Sequence, residues 1–113
     1  MKITNARIIK TMLGLEDHGI PTFFLYLDYG SSEQGFGGYG LQDGSKKPIE
    51  YSSIKILLDI LKVVGVDKWE DLPGKHIRVK REDGWNGKIL GIGHILKDCW
   101  FDPTENQYWR EPQ

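Results

Sequence analysis

Between Tyr29 and Gly40, five glycines and three aromatic residues fall within twelve positions and interrupt two strand-like apolar runs, a pattern that restricts the fold more than any other segment does. Glycine gives up the most backbone entropy on folding and leaves a strand without a side chain to pack. Repeated glycine therefore belongs where backbone bends sharply or meets a surface closely. Two readings stay open. In one, the segment is a bulged or tightly packed strand. In the other it is a binding loop whose backbone N–H groups converge on an anion while aromatic rings stack on a base. No G-x-x-x-x-G-K-[ST] occurs and no G-x-G-x-x-G enters a predicted helix, so neither of the two standard phosphate-loop arrangements is expected.

The flanking runs specify strands. Ile3 to Met12 mixes β-branched and polar residues, and Thr22 to Tyr29 sets Phe23, Leu25 and Leu27 against Phe24, Tyr26 and Asp28. Turn formers in the link 14–21 suit an antiparallel connection between them. Phe36 to Gln42 adds a third strand, and Asp43 to Pro48 closes the meander as a loop. Ile54, Leu57, Leu58, Leu61 and Val64 recur at helical spacing behind a Ser52 or Ser53 cap and ahead of Gly65, which predicts an amphipathic helix over about 53–64. Asp67-Lys68-Trp69-Glu70 has a capping-box pattern and predicts a short helical turn over about 67–72, stopped by Pro73-Gly74. Strands near Lys75–Lys80, Lys88–Leu96 and Asp98–Phe101 follow, with a reversal at Gly84-Trp85-Asn86-Gly87. The expectation is a single domain over 1–113 of the α+β class: a mainly antiparallel sheet of about six strands, with the helix and the short turn inserted before the later strands.

Composition narrows the function. At 113 residues the chain can bury roughly two-thirds of its unfolded surface, enough for a real core. A formal net charge of −1 provides no field to draw it onto DNA or an anionic membrane, so bulk nucleic-acid and membrane partners are not expected. The one basic cluster, Lys75, His76, Arg78, Lys80 and Arg81, reads as a solvated strand face. Cys99 is the single cysteine, no apolar run approaches the ~20 residues of a membrane span, and the first residues lack a signal-peptide core. The expected setting is a reducing cytoplasm.

Catalytic sets are thin. Asp17-His18 reads as a hydrogen-bonded turn rather than a base with its orienting carboxylate, because neighbours in a turn or strand point apart. His94, Asp98 and Cys99 contain the types of a thiol nucleophile and its base, but acidic Asp98 would raise the thiol pKa rather than lower it. The carboxylates are scattered without metal-ligand spacing, so neither a metal, a cofactor nor an enzymatic activity is expected. Aromatics exceed the needs of a small core, and several of them lie in loops or at strand ends beside Asn or Arg, which suits a binding surface.

Several runs, Ile3-Thr4-Asn5-Ala6-Arg7, Met12 to Ile20, Gln34 to Tyr39, Pro73 to Val79 and Trp100-Phe101-Asp102-Pro103, resemble small proteins encoded by phages and prophages over nearly the whole chain. The order of elements is similar to that of the phage anti-Thoeris sponge proteins, which sequester a cyclic ADP-ribose-type immune signal as oligomers without cleaving it. This resemblance implies a homo-oligomeric anti-defence protein acting in a bacterial host cytoplasm. On this sequence the expected phosphate contacts are Ser31, Ser32 and the backbone of Gly35, Gly37 and Gly38. Phe36, Tyr39 or Trp85 would stack on the base, with Arg78 and Arg110 as charge partners, Arg110 reaching across a dimer. The alternative is an anti-CRISPR-like inhibitor that covers a host effector protein with the same aromatics.

Overall fold

A computed structural model describes residues 1–16, 19–37, 50–84 and 87–103. Its strands are β1 (Lys2–Glu16), β2 (Ile20–Asp28), β3 (Glu33–Gly37), β4 (His76–Arg81), β5 (Ile89–His94) and β6 (Trp100–Phe101). One helix, α1 (Glu50–Val64), and a 3-10 turn at Trp69–Asp71 lie between β3 and β4. All pairings are antiparallel in the order β3-β2-β1-β4-β5-β6, so the α+β expectation holds, with the sheet dominant. The first two strands run further than the turn formers suggested, because Leu13 and Leu15 keep alternating and pair with Phe23 and Pro21. β3 begins earlier than expected, at Glu33 rather than Phe36, and positions 38–42 of the expected strand lie outside the described residues.

Side-chain parity explains an irregularity in β1. Ala6 and Ile8 are buried, so strict alternation would turn Lys10 into the core as well. A bulge between Ile8 and Lys10 resets the parity. Lys10 then faces outward, 4.8 Å over the Tyr26 ring, while Thr11 and Leu13 pair with the buried Leu25 and Phe23.

The inner face carries Ala6, Ile8, Phe23, Leu25, Leu27, Phe36, Ile77, Val79, Ile92 and Phe101, all buried. Accumulated right-handed twist coils the sheet until its two edges meet across this core. Phe36 of β3 and Phe101 of β6 make an edge-to-face pair at 6.3 Å, and Gln34 Nε2 donates to the Gly87 carbonyl just before β5 at 3.1 Å. Helix α1 closes onto β5 and β6 with Ile56, Ile60, Val63 and Val64. Its buried stripe differs from the expected one: Ile54 and Leu58, assigned inward from spacing, are 60% and 51% exposed. Residues 54–64 hold two overlapping apolar stripes, and only the position of the sheet selects between them. The capping box is likewise absent in effect, since Lys68 is the N-cap and makes no side-chain cap bond; the turn is fixed instead by Trp69 packing edge-on to Phe23 at 6.3 Å. Among the described residues no helix is long and apolar enough to cross a membrane.

Candidate functional site

The site arises where the β2–β3 hairpin leaves β1. β1 and β2 pair as far as Arg7 opposite Asp28 and then part. There Asp28 Oδ1 accepts the Gly30 N–H at 2.8 Å, and Tyr29 N–H donates to the Ser32 carbonyl at 2.9 Å, so the chain reverses over Gly30-Ser31 into β3. Gly30 has φ 98°, a value that the first residue of such a two-residue turn requires and that a side chain resists. β1 continues past this point through Lys2–Ala6, paired on its other side with β4 in a register that sets Lys2 opposite Arg81. The departing hairpin leaves a cleft along the β1 edge.

Two cavities occupy the cleft and share Tyr29 as a wall. The larger, about 630 Å³, is lined by Lys2, Tyr29, Ser32, Glu33, Gln34, Arg81 and Gly84. The smaller, about 280 Å³, is lined by Asn5, Ala6, Arg7, Asp28, Tyr29, Gly30 and His76. Tyr29 is held firmly: its hydroxyl donates to Gln34 Oε1 at 2.7 Å, and the Arg81 guanidinium lies 4.6 Å over its ring. The same Gln34 side chain ties β3 to the segment before β5. Burial pushes the Tyr29 hydroxyl above its ordinary value of 10.0, and the Arg81 charge opposes that rise. The larger cavity thus presents two cations, one hydroxyl and one aromatic ring against a single carboxylate, Glu33. That set suits an anionic ligand carrying a flat or sugar-like portion.

The expected contacts divide. Ser32 lines the larger cavity, with Ser31 in the adjoining turn. Phe36 does not stack on a ligand: it is 2% exposed, wedged edge-on between Phe23 and Phe101, because position 36 falls on the inner parity of β3 opposite Leu25. Packing and backbone conformation require glycine at Gly37, whereas a Cβ at Gly35 would make only an ordinary contact. Gly35 lies against the Phe24 ring, and Gly37, at φ 116°, lies where a Cβ would strike the backbone oxygen and ring of Phe23. Arg78 is bound elsewhere, its Nε donating to the His94 carbonyl and its NH2 to the Lys97 carbonyl, both at 2.8 Å, with its guanidinium 4.7 Å over Trp100. Gly38, Tyr39, Trp85 and Arg110 lie outside the described residues, as do Asp17 and His18.

Nor is the basic strand simply a solvated face. Lys80 sits 4.4 Å over Trp100 and bonds Asp102 at 3.2 Å with both side chains mostly buried, and Trp100 Nε1 donates to Asp98 at 3.0 Å. Gly91 and Gly93 make room for this cluster, since a Cβ at either would collide with Asp102 or with the Trp100 ring. His94 Nδ1 accepts the N–H groups of Leu96 and Lys97, both at 3.0 Å, so this nitrogen braces the β5–β6 turn. Sequence reading missed Lys2, Tyr29, Gln34 and Arg81 as a set. One signal was available: Arg81 shares the parity of buried Ile77 and Val79, and a charge at an inward position asks for a reason.

Among the described residues there is no group of three or more His, Cys, Asp or Glu able to hold a metal ion. No family model, curated protein or solved structure matches this chain.

Proposed function

We propose that this protein is a phage-type anti-defence protein that binds and sequesters a cyclic nucleotide of the cyclic ADP-ribose kind without cleaving it. The observation that carries the reading is the larger cavity, where Lys2 and Arg81 stand opposite each other on paired strands beside Ser32 and the Tyr29 wall. Its volume falls in the roughly 300–1,000 Å³ range of small-ligand sites. Paired cations answer phosphates, a hydroxyl answers phosphate or ribose, and a held tyrosine gives a flat ligand a rigid surface. Sequestration without turnover, and assembly into a homo-oligomer, come with the resemblance to sponge proteins. The ligand contacts of this reading are Lys2, Arg81 and Ser32 rather than Phe36 and Arg78.

The test is thermal denaturation against a panel of cyclic nucleotides, combined with native mass spectrometry and heat release of bound molecules. The reading predicts that one cyclic nucleotide raises the melting temperature and is recovered intact. No shift across the panel, or release of a linear product, contradicts it. A second reading, an inhibitor of a host effector protein, draws on the exposed pair Ile54 and Leu58, one turn apart on α1. Stoichiometric recovery of one effector from host lysate, with no nucleotide shift, selects it.

A further inference from the structure

Beyond its bulge, β1 has an open side. Its pairing with β4 covers Lys2–Arg7 and ends in two bonds of Ile8, whose N–H donates to the Lys75 carbonyl at 2.9 Å and whose C=O accepts the Gly74 N–H at 2.6 Å. The bulge between Ile8 and Lys10 then carries the strand onward, and among the described residues Lys10–Glu16 pair with β2 alone. The backbone donors and acceptors on the far side of this stretch form a sheet edge. Such an edge is usually blunted by a proline or by charge along its length. Here the middle is Thr11-Met12-Leu13-Gly14-Leu15, which has neither, and Leu13 and Leu15 are 47% and 72% exposed. Charge stands only at the two ends, as Lys10 and Glu16.

The sequence of this edge is complementary to itself. A two-fold axis at Leu13 lays two copies of β1 antiparallel, with Leu13 opposite Leu13, Thr11 opposite Leu15, Met12 opposite Gly14 and Lys10 opposite Glu16. Residues opposite each other in an antiparallel ladder share a face of the sheet. Leu13 and Leu15 of both copies therefore gather with Thr11 on one face, which covers the leucines that a single chain leaves exposed. On the other face Met12 meets a position without a side chain, and each end of the ladder sets a lysine against a glutamate. Neighbouring registers lose the match: moving the axis by one residue sets Lys10 opposite Gly14, or Glu16 opposite Met12.

We infer that the protein is a two-fold dimer joined edge to edge along the Lys10–Glu16 stretch of β1, the partner being a second copy of this chain. The two sheets become one, continuous through the paired β1 strands, in the manner of strand addition to an exposed edge. The contact is the same patch on both subunits, so it closes at two copies and does not propagate into a fibre. It gives the homo-oligomer of the sponge reading a surface and a copy number, and it rests on the edge alone, whatever the cleft binds.

Disulfide trapping tests the register. In a Cys99→Ser background, Leu13→Cys sets two thiols opposite each other with Cα atoms about 4.5–5.5 Å apart, within the span of a disulfide. Thr11→Cys instead sets its two thiols about 13 Å apart along the ladder, which a disulfide does not bridge. Under mild oxidation most of the Leu13→Cys chain should run as covalent dimer on a denaturing gel, and the Thr11→Cys chain should stay monomeric. Sedimentation equilibrium of the wild-type protein should give twice the 13.0 kDa chain mass. Lys10→Glu, which sets glutamate against glutamate, should shift that mass toward monomer, and adding Glu16→Lys in the same chain should restore it. A wild-type monomer overturns the interface together with the homo-oligomer. An oligomer in which Leu13→Cys traps no better than Thr11→Cys overturns this interface alone. Neither result touches nucleotide binding, which calorimetry reads separately. Should the cysteine variants fail to fold, hydrogen exchange on the wild-type protein decides: alternate amides within 11–15 should be protected in the dimer and lose that protection on dilution, and unchanged exchange refutes the pairing.

Discussion

Replacing Gly93 by alanine should be disproportionately costly, and the cost should reside in one ring. A Cβ at position 93 would lie 2.6 Å from Cδ2 and Cζ3 of Trp100, against about 3.5–4.0 Å for an ordinary carbon contact, so the indole must retreat by about 1 Å. Gly93 does not have a positive φ, so backbone conformation contributes nothing to the penalty. Overpacking of this kind costs about 1–3 kcal/mol. The displaced ring also weakens its bond to Asp98, worth about 0.5–1.5 kcal/mol, and its contacts with Arg78 and Lys80, about 0.5–1 kcal/mol each. Removing a strand glycine returns about 0.5–1 kcal/mol. The net expectation is a loss of about 2–3 kcal/mol, a fall of about 1–2 M in the urea midpoint for a slope near 1.5 kcal/mol/M. Urea melts followed by far-ultraviolet circular dichroism on wild type, Gly93→Ala, Trp100→Ala and the double variant measure it. In the Trp100→Ala background Gly93→Ala should cost almost nothing, giving a coupling of about 2–3 kcal/mol. Equal losses in both backgrounds would show that the glycine is not there to seat the ring.

Phe36→Ala should lower stability by about 3–5 kcal/mol in the same melts while calorimetry on the folded variant finds ligand affinity unchanged, since the ring is core and does not reach the cleft. Arg78→Ala should speed amide hydrogen exchange across 94–99 and cost about 1–2 kcal/mol, because it releases two carbonyls of the β5–β6 turn, but should leave nucleotide binding alone. Tyr29 gives a pH signature. Its folded pKa is raised, so below pH 10 both states keep the proton; as pH rises from 10.0 toward the folded value only the unfolded state ionises, and stability falls. Tyr29→Phe should flatten that alkaline loss in urea melts between about pH 9 and 11, and an unchanged slope would remove burial of the hydroxyl as its cause.

Much of the fold was legible because local pattern and tertiary demand agree. Phe23, Leu25 and Leu27 alternate and are all buried, and Ile77 and Val79 do the same on β4. Legibility failed where two patterns compete on one segment. Residues 54–64 carry apolar side chains on more than one helical face, so which stripe is buried depends on where β5 and β6 stand. Phe36 looked available because glycines surround it, yet strand parity turns it inward opposite Leu25. The candidate site was the least legible part. Lys2 and Arg81 are far apart in sequence and meet through β1–β4 register, and the cleft exists only because the Asp28–Gly30 turn carries the hairpin away from β1. A run of glycines announces close approach, but not whether a ligand or a neighbouring phenylalanine approaches; at Gly37 it is a phenylalanine.

The most direct measurement is titration calorimetry of the protein and its Arg81→Ala variant with a set of cyclic ADP-ribose isomers. The account predicts saturable binding of one isomer by the wild-type protein and about 10- to 100-fold weaker binding by the variant, the loss expected when one charged hydrogen bond to a phosphate is removed. Absence of binding across the set, or equal affinity in the two proteins, would contradict the claim that this cleft holds a nucleotide.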